Sequence, residues 1–366
     1  MKTAVWKKKG LRSLCGLLVL GLLLSWGDRA TAQERVLNLL SWVGYEEPSM
    51  INVFEDEFNV KVNAKTYVGG DQMFTLFTQS KDLYDVVVVD PEFLPKLHAV
   101  GRISPLNRTD YDFSNYFEEF KNFPFTEYDG DLYAVPIRFG SNGLVYNTNH
   151  LTDEDVQSYK ILWDPKVKGR VGIWDWYLPS MGVLSRAVGN QTPYDLSDEQ
   201  LAKLEQATMD LRPQVAAIHP TPPEMLAALA NEETWVVPAG GEWVAAILQA
   251  QGKPIDWVVP EEGGIMWSET LVIANDAPHP DMAKLYIQWM QTPKAQALLT
   301  QRDAYYSNVP NKAAYDLLSE SHKDILKIHN EEEAMAMLNK ISVRTLPQRQ
   351  PESVWQDIWE RFKTAE

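Results

Sequence analysis

The chain of 366 residues is short of cysteine, histidine and long apolar runs, and each shortage excludes a class of protein. Its single cysteine, Cys15, excludes disulfides, thiolate metal sites and a cysteine nucleophile from the rest of the chain. The six histidines are scattered without an i, i+4 pair, which argues against a zinc site. The signatures of P-loop, nucleophile-elbow and zinc-protease enzymes are absent as well. We therefore expect no enzyme activity, no metal site and no cofactor.

The first 32 residues have the pattern of a secretory signal peptide. Lys7-Lys8-Lys9 precede the apolar run Leu17–Leu24, and Ala30-Thr31-Ala32 predicts cleavage before Gln33. The apolar run is shorter than the about 20 residues that a membrane span needs. The residues before Cys15 do not resemble a lipoprotein signal, and no later segment is long and apolar enough to cross a bilayer. We therefore expect export to the periplasm as a soluble chain.

Basic residues are few relative to acidic ones, with 34 Lys and Arg against 50 Asp and Glu. The formal net charge is −16, and because residues 1–32 contribute +5, the remaining 334 residues carry −21. A surface this acidic repels nucleic acid and anionic lipid and attracts small cations. A length of 334 residues suits two lobes of ordinary domain size, and we expect a monomer.

Strand and helix patterns alternate after the leader, which predicts an α/β fold. A strand at residues 36–40 is followed by a helix with Pro48 in its first turn, and Asp85–Asp90 is a β-branched run typical of a parallel sheet. Ser197 and Gln200 have the spacing of a capping box. Further strands are predicted at residues 60–67, 171–174, 235–237, 255–259 and 268–274, and further helices at 71–77, 281–290, 293–299 and 352–363.

Ligands of open parallel sheets bind beyond the carboxyl ends of the strands, so the loops after the predicted strands are the places to search. These loops are rich in aromatic rings and carboxylates. Ring faces attract ammonium groups by about 0.5–2 kcal/mol each, and carboxylates hold charged ends by charge-assisted hydrogen bonds. The pattern predicts a cleft for a small, apolar-backed cation. The candidate residues are Trp42, Tyr45, Asp90, Glu92, Asp175, Trp176, Glu242, Trp243, Trp267 and Glu269.

Several of these residues also have structural interpretations that the sequence leaves open. Asp90 either contacts ligand or caps a helix that begins at Pro91. Glu242 suits the first turn of a helix, where the helix dipole favours an acid. If Arg344 or Arg349 reached the cleft, an anionic or zwitterionic cargo would be favoured. The residues that we interpret as packing or fold-stabilising are Trp174, Trp235, Trp257, Trp355 and Arg138.

At these same residues the chain resembles the spermidine/putrescine-binding periplasmic proteins, over nearly all of its length after the leader. The segments that carry the resemblance are Leu39–Tyr45, Tyr84–Val88, Val135–Gly140, Val145–Asn147, Pro260–Trp267 and Val309–Asn311. It implies a type II periplasmic binding protein fold, with two α/β lobes joined by two crossover strands and a ligand cleft between them. Lobe 1 would take residues 36–143 plus 269–313, and lobe 2 residues 144–268 plus 314–366. The resemblance also implies that the chain captures polyamines for the permease subunits of an ABC importer.

The resemblance assigns ligand-binding roles to particular side chains. Trp42 and Tyr45 match aromatic residues that clasp the polyamine, and Trp267 matches a tryptophan that stacks along its methylenes. Glu269 matches an aspartate that holds an amino group. Because residues i and i+2 of a strand share a face, Trp267 and Glu269 are predicted to meet one ligand. A tyrosine near the second crossover corresponds to Tyr305 or Tyr306.

The chain also departs from the family pattern. Asp90 and Glu92 stand where the polyamine binders have a serine and a tyrosine, and of a second-lobe carboxylate pair only Asp175 is plausibly placed. A family tryptophan has no counterpart at 238–240. Two explanations stay open: the charge has moved from one wall of the cleft to the other, or the cargo is a different solute, such as an amino-acid derivative, a ferric ion or a phosphonate. A hydrolase or a sensor input domain is a third hypothesis.

Overall fold

The structure, a computed structural model, describes residues 35–302 and 305–365. The predicted signal peptide lies outside the described residues. The strands are β1 Val36–Trp42, β2 Lys61–Tyr67, β3 Val86–Val89, β4 Glu127–Tyr128, β5 Asp131–Leu132, β6 Val135–Asn147, β7 Val171–Trp174, β8 Val215–His219, β9 Val236–Gly240, β10 Ile255–Val258, β11 Gly264–Ile273, β12 Gln301–Arg302, β13 Tyr305–Tyr306 and β14 Ile341–Val343.

The α-helices are α1 Pro48–Phe58, α2 Gly70–Gln79, α3 Leu94–Ala99, α4 Tyr177–Ala187, α5 Asp198–Leu211, α6 Pro222–Ala230, α7 Glu242–Ala250, α8 Pro280–Met290, α9 Pro293–Thr300, α10 Glu320–Leu326, α11 Glu331–Lys340 and α12 Glu352–Thr364. Short 3-10 helices lie at Pro91–Phe93, Arg108–Asp110, Glu118–Phe120, Tyr159–Trp163, Pro165–Val167, Arg212–Gln214 and Lys312–Leu317. The alternation of strands and helices confirms the predicted α/β class.

One mixed sheet organises the molecule, with the strand order β2-β1-β3-β11-β6-β9-β7-β8. The outer strands form two parallel blocks, β2-β1-β3 and β9-β7-β8, and the long strands β6 and β11 run antiparallel to their neighbours at the centre. Strand β10 adds to β6, and β14 adds to β11. The predicted lobe boundaries at residues 143 and 269 fall inside β6 and β11, and they stay a prediction.

The register brings the carboxyl ends of both parallel blocks to the middle of the central strands. Val89 at the end of β3 pairs with Thr270 of β11, and Gly240 at the end of β9 pairs with Gly143 of β6. The loops that leave both blocks therefore open towards one region, above the middle of β6 and β11. This is the place where ligands of such sheets bind.

Local sequence signals account for most of the element boundaries. Pro48 occupies the first turn of α1, and Asn59 ends that helix in the left-handed conformation. The predicted capping box is formed, since the Ser197 hydroxyl accepts from the Gln200 backbone N–H and the Gln200 side chain accepts from that of Ser197. Apolar side chains of the sheet and the surrounding helices are buried against each other in the same clusters, such as Phe54 with Tyr286.

Strand β11 begins four residues earlier than the sequence predicts, at Gly264 rather than Ser268. The described residues contain no helix that is long and apolar enough to span a membrane.

Candidate functional site

A cavity of about 320 Å³ lies where the strand ends meet. Five tryptophans line it, and their positions follow from the sheet: Trp42 ends β1, Trp174 ends β7 and Trp267 lies within β11. The full set of lining residues is Trp42, Val43, Val68, Asp90, Asn142, Trp174, Trp176, Pro222, Pro223, Leu226, Trp243, Ile247, Trp267, Glu269 and Arg344. Such a mostly apolar cavity with a few placed polar groups is typical of a small-molecule site.

Four of the indoles form one continuous wall across the two blocks of the sheet. The ring centroids of Trp42 and Trp176 are 6.2 Å apart, those of Trp176 and Trp174 are 5.0 Å apart, and those of Trp174 and Trp243 are 6.0 Å apart. Trp42 comes from β1, whereas Trp174 and Trp176 follow β7 on the other side of the central strands. A flat apolar ligand or a methylene chain would therefore contact ring faces from both halves of the molecule.

Asp90 and Glu92 share one buried arginine. The Arg344 Nε donates to Glu92 Oε1 at 2.5 Å, and its Nη2 donates to Asp90 Oδ2 at 2.9 Å. The Trp42 indole N–H donates to the other Asp90 oxygen at 2.8 Å. Asp90 precedes the 3-10 helix Pro91–Phe93 but makes no side-chain cap bond to it, so the capping interpretation of this carboxylate is wrong.

Burial controls the protonation of this cluster. The pKa of Asp90 is raised to about 8, chiefly by burial and in part by the charges of Glu92 and Glu269, and against the opposing effects of Arg344 and the Trp42 hydrogen bond. Burial likewise raises the pKa of Glu92 against the opposing effect of Arg344. Burial lowers the pKa of the Arg344 guanidinium, but Glu92 and Asp90 raise it by more, so this side chain stays charged.

Glu269 is held from behind the cavity wall. The Tyr45 hydroxyl donates to Glu269 Oε2 at 2.5 Å, and Arg138 Nη1 lies 3.9 Å from the same oxygen. Tyr45 and Arg138 are fully buried, and the Arg138 Nε donates to the Ser307 hydroxyl at 2.5 Å. Tyr45 therefore positions the carboxylate rather than lining the cavity, and Arg138 has the fold-stabilising place that the sequence predicts.

Glu242 forms a second buried carboxyl group beside Trp267. It is the first residue of α7, and both of its carboxylate oxygens lie 3.1 Å from the Ser141 backbone N–H, which donates to them. Burial raises the pKa of Glu242 to about 8, while hydrogen bonds from its own backbone and from Ser141 lower it, as do Arg138 and Trp267. A Cβ on Gly140 would lie 1.8 Å from Glu242 Oε1 and 2.4 Å from the Trp267 ring, so only glycine fits there.

The structure brings together six of the candidate residues as lining residues: Trp42, Asp90, Trp176, Trp243, Trp267 and Glu269. This confirms that Trp267 and Glu269 share a face. Tyr45 and Glu92 stand directly behind them, bonded to Glu269 and Arg344. Their contact with ligand stays a prediction.

Asp175 and Tyr306 are predicted ligand-binding residues that the structure places away from this cavity. Asp175 accepts from the Trp359 indole at 2.8 Å and pairs with Lys363 at 3.2 Å, both on α12, and it lines a neighbouring cavity of about 250 Å³. The Tyr306 ring stacks on His322 with centroids 5.1 Å apart. The side chain of Tyr305 lies outside the described residues.

The interpretation of Trp174 as a packing residue is wrong, because Trp174 ends β7 and lines the cavity. The other tryptophans that we interpreted as packing, Trp235, Trp257 and Trp355, do not line it. Trp243 lies three residues beyond the segment 238–240 where the family tryptophan has no counterpart, and it supplies an indole from α7 instead. Arg344 also reaches the cleft, whereas Arg349 pairs with Asp195 in an exposed position. The position of Trp174 at a strand end was the signal available in the sequence.

The cavity lies where the strand ends meet, and it combines a continuous aromatic wall with buried ionic groups. This arrangement is typical of a protein that binds a small solute between two halves. Among the described residues no cluster of His, Cys, Asp and Glu is suited to hold a metal ion. The chain belongs to the family of bacterial extracellular solute-binding proteins, whose model matches residues 49–327.

Individual relatives agree with this family. The chain is 27% identical over 312 residues to the spermidine/putrescine-binding periplasmic protein of Escherichia coli K12, which covers 83% of this chain and 84% of the relative. A spermidine/putrescine ABC transporter substrate-binding protein from Streptococcus pneumoniae has a similar structure, with a TM-score of 0.77, 21% identity and coverage of 91% and 99%. This similarity confirms the predicted two-lobe type II periplasmic binding protein fold.

The same fold occurs with other ligands. A periplasmic binding protein from A. tumefaciens B6 in complex with glucopine matches with a TM-score of 0.68, 14% identity and coverage of 89% of this chain and 99% of that one. The fold by itself therefore does not select the cargo, and the cavity must.

Proposed function

We propose that this chain is the periplasmic receptor of an ABC importer and that it captures a small aliphatic amine of the polyamine class. The observation that carries the proposal is the cavity itself, in which five indole rings surround the carboxylates of Asp90 and Glu269. Indole faces attract ammonium groups and cover methylene chains. Carboxylates hold the ammonium end by charge-assisted hydrogen bonds. The relative from E. coli K12 is named for spermidine and putrescine, which supports this class.

An anionic or zwitterionic cargo is the main alternative, because Arg344 reaches the cavity. Both hydrogen-bond acceptors of Arg344 are carboxylates, at 2.5 Å and 2.9 Å, so its charge is already balanced inside the protein. An incoming carboxylate or phosphonate would meet the carboxylate of Glu269 and an arginine whose charge is already balanced. Repulsion in a water-excluded site is strong, and we therefore expect anions to bind poorly.

A ferric cargo has less support. The hypothesis depended on Tyr305 and Tyr306, and the Tyr306 ring stacks on His322 rather than lining the cavity.

Closure of two lobes around the cargo is part of the proposal. Trp42 and Trp176 come from opposite sides of the central strands, so a ligand that lies against both rings would hold both sides together. Binding would shift an open population towards a closed one. We place the lobes at 36–143 plus 269–313 and at 144–268 plus 314–366. Small-angle scattering should show a smaller radius of gyration with saturating amine, and an unchanged radius would contradict closure.

Export by the signal peptide and delivery to membrane permease subunits complete the proposal. Intact-mass analysis of chain recovered from the periplasm should show a protein that begins at Gln33. Recovery of the full-length chain in the membrane fraction would contradict it.

The proposal as a whole is tested by titration calorimetry with putrescine, spermidine and an anion such as glucose 6-phosphate. We expect saturable binding of at least one amine and none of the anion. Trp267→Ala removes the indole from the cavity and should weaken amine binding, while Trp235→Ala is a matched control because Trp235 stacks on His150 away from the cavity. Binding of the anion alone, or equal amine affinity in parent and Trp267→Ala, would contradict the proposal.

A further inference from the structure

Arg344 occupies a place in the cavity that has the chemistry of a ligand subsite. It follows β14, and its backbone N–H donates to the Met266 carbonyl at 2.9 Å, which fixes it beside Trp267. Its side chain is only 4% exposed and lines the cavity. The guanidinium contacts two carboxylates and lies 4.6 Å above the centre of the Trp176 ring. Carboxylates and an indole face are the groups expected around an ammonium end of the cargo.

We infer that Arg344 is an internal cation that takes the place of one ammonium group, so that the cavity selects amines with a single cationic end. The inference rests on the proposed function, an amine receptor, and departs from it in the number of cationic ends that the ligand carries. The ligand class is a monocationic amine with an uncharged tail, such as an aliphatic monoamine or an N-acylated diamine. Arg344 is then the residue that determines specificity.

The charges around the cavity support a monocation. The charged residues that line the cavity are Asp90, Glu269 and Arg344, so when all three are ionised the wall carries two negative charges and one positive charge. One ammonium group balances the difference. A second would lie next to Arg344, and because a guanidinium does not lose its proton in proteins, the repulsion cannot be relieved by deprotonation.

The rest of the wall suits an uncharged tail. Helix α6 contributes Pro222, Pro223 and Leu226, and α7 contributes Ile247. Among the described lining residues, the Asn142 amide is the one uncharged polar group besides the indole N–H groups. An alkyl end would contact the apolar side chains, and an acyl amide would have a hydrogen-bond partner in Asn142. The two carboxylates that line the cavity, Asp90 and Glu269, already lie beside Arg344 and Arg138.

The inference is tested with two amines of equal chain length, n-butylamine and putrescine. Calorimetry should show that the parent binds n-butylamine at least as tightly as putrescine, within about threefold. Arg344→Gln removes the internal cation, and the affinity ratio should shift towards putrescine by about tenfold or more. Arg349→Gln is the matched control, since Arg349 is exposed and pairs with Asp195, and it should leave the ratio unchanged.

A second variant distinguishes two effects of Arg344 on binding: the space that its side chain occupies and the positive charge that it contributes. Arg344→Gln combined with Glu92→Gln removes one charge of each sign, so the net charge of the cluster is kept while the place beside Asp90 becomes available. It should show the same shift towards putrescine. Because each ratio is taken within one variant, a partial loss of folded protein cancels.

Two results would overturn the inference while leaving the proposed function intact. One is a parent that binds putrescine more than about threefold tighter than n-butylamine. The other is an unchanged ratio in both Arg344 variants. Binding of no amine by the folded parent would instead remove the proposed function, and this inference with it.

Discussion

Amine binding should release a proton from Asp90. Burial raises the pKa of this carboxyl to about 8, with Glu92 and Glu269 adding to the rise and Arg344 and Trp42 opposing it. A carboxyl with that pKa is protonated in about 0.9 of molecules at pH 7. A cation in the same water-excluded cavity favours the ionised carboxylate and lowers its pKa. Binding at pH 7 should therefore release a proton from this group, up to about 0.9 per ligand.

The release can be measured by calorimetry at one pH in buffers of different ionisation enthalpy. The observed heat should vary linearly with the buffer's ionisation enthalpy, and the slope gives the number of protons. The affinity should also rise with pH between about 6 and 8, because less proton has to be displaced. Above that range the affinity should level off, since Asp90 is then already ionised in the ligand-free protein.

Two variants test whether Asp90 is the residue that releases the proton. Asp90→Asn removes the carboxyl, so its share of the release should disappear. Asp175→Asn is the matched control, because Asp175 pairs with Lys363 outside the main cavity and should leave the release unchanged. The reasoning is refuted if the parent releases no proton at pH 7, or if Asp90→Asn releases as much as the parent.

Three further predictions concern the buried carboxyls and their neighbours. Burial raises the pKa of Asp90 and Glu242 above the unfolded values, so their contribution to the free energy of unfolding is present at pH 4 and is lost as the pH rises through about 8. Urea denaturation of the ligand-free chain should show this decline, and Asp90→Asn should make it smaller. Glu269→Gln should weaken amine binding by about 1.5–3 kcal/mol in calorimetry, and it should lower the melting temperature because Arg138 loses a charged neighbour. Gly140→Ala should lower both the melting temperature and the amine affinity, since its Cβ would displace Glu242 or Trp267, and parent-like values would contradict that packing.

The elements that the sequence predicts well are those with strong local signals. The helix from Pro48, the capping box at Ser197 and the valine strand Val86–Val89 all form where the sequence places them. Strand β11 begins earlier than predicted because Gly264 reads as a breaker in isolation, whereas it pairs with Ile341 of β14 in the sheet. That pairing joins residues far apart in the chain, and no local pattern reports it.

The candidate site follows the same division. Trp42 ends β1 and Asp90 follows β3, so the rule for parallel sheets was enough to select them. Trp267 and Glu269 lie inside β11, which begins four residues before the predicted strand. The sequence left the place of Arg344 open because its acceptors, Asp90 and Glu92, are 254 and 252 residues away. Trp174 was interpreted as packing because it belongs to a predicted strand. Its sequence pattern does not show that the last residue of β7 lines the cavity.

The central claim, that the aromatic cavity holds an amine, is tested most directly by the cargo that the protein itself retains. The exported chain would be purified with no amine added and then denatured, and the small molecules that it releases would be identified by mass spectrometry. Trp267→Ala would be treated in parallel. We predict about one aliphatic amine per chain from the parent and markedly less from Trp267→Ala. Release of an anionic or zwitterionic solute, or of the same amine in equal amounts from both proteins, would contradict the account.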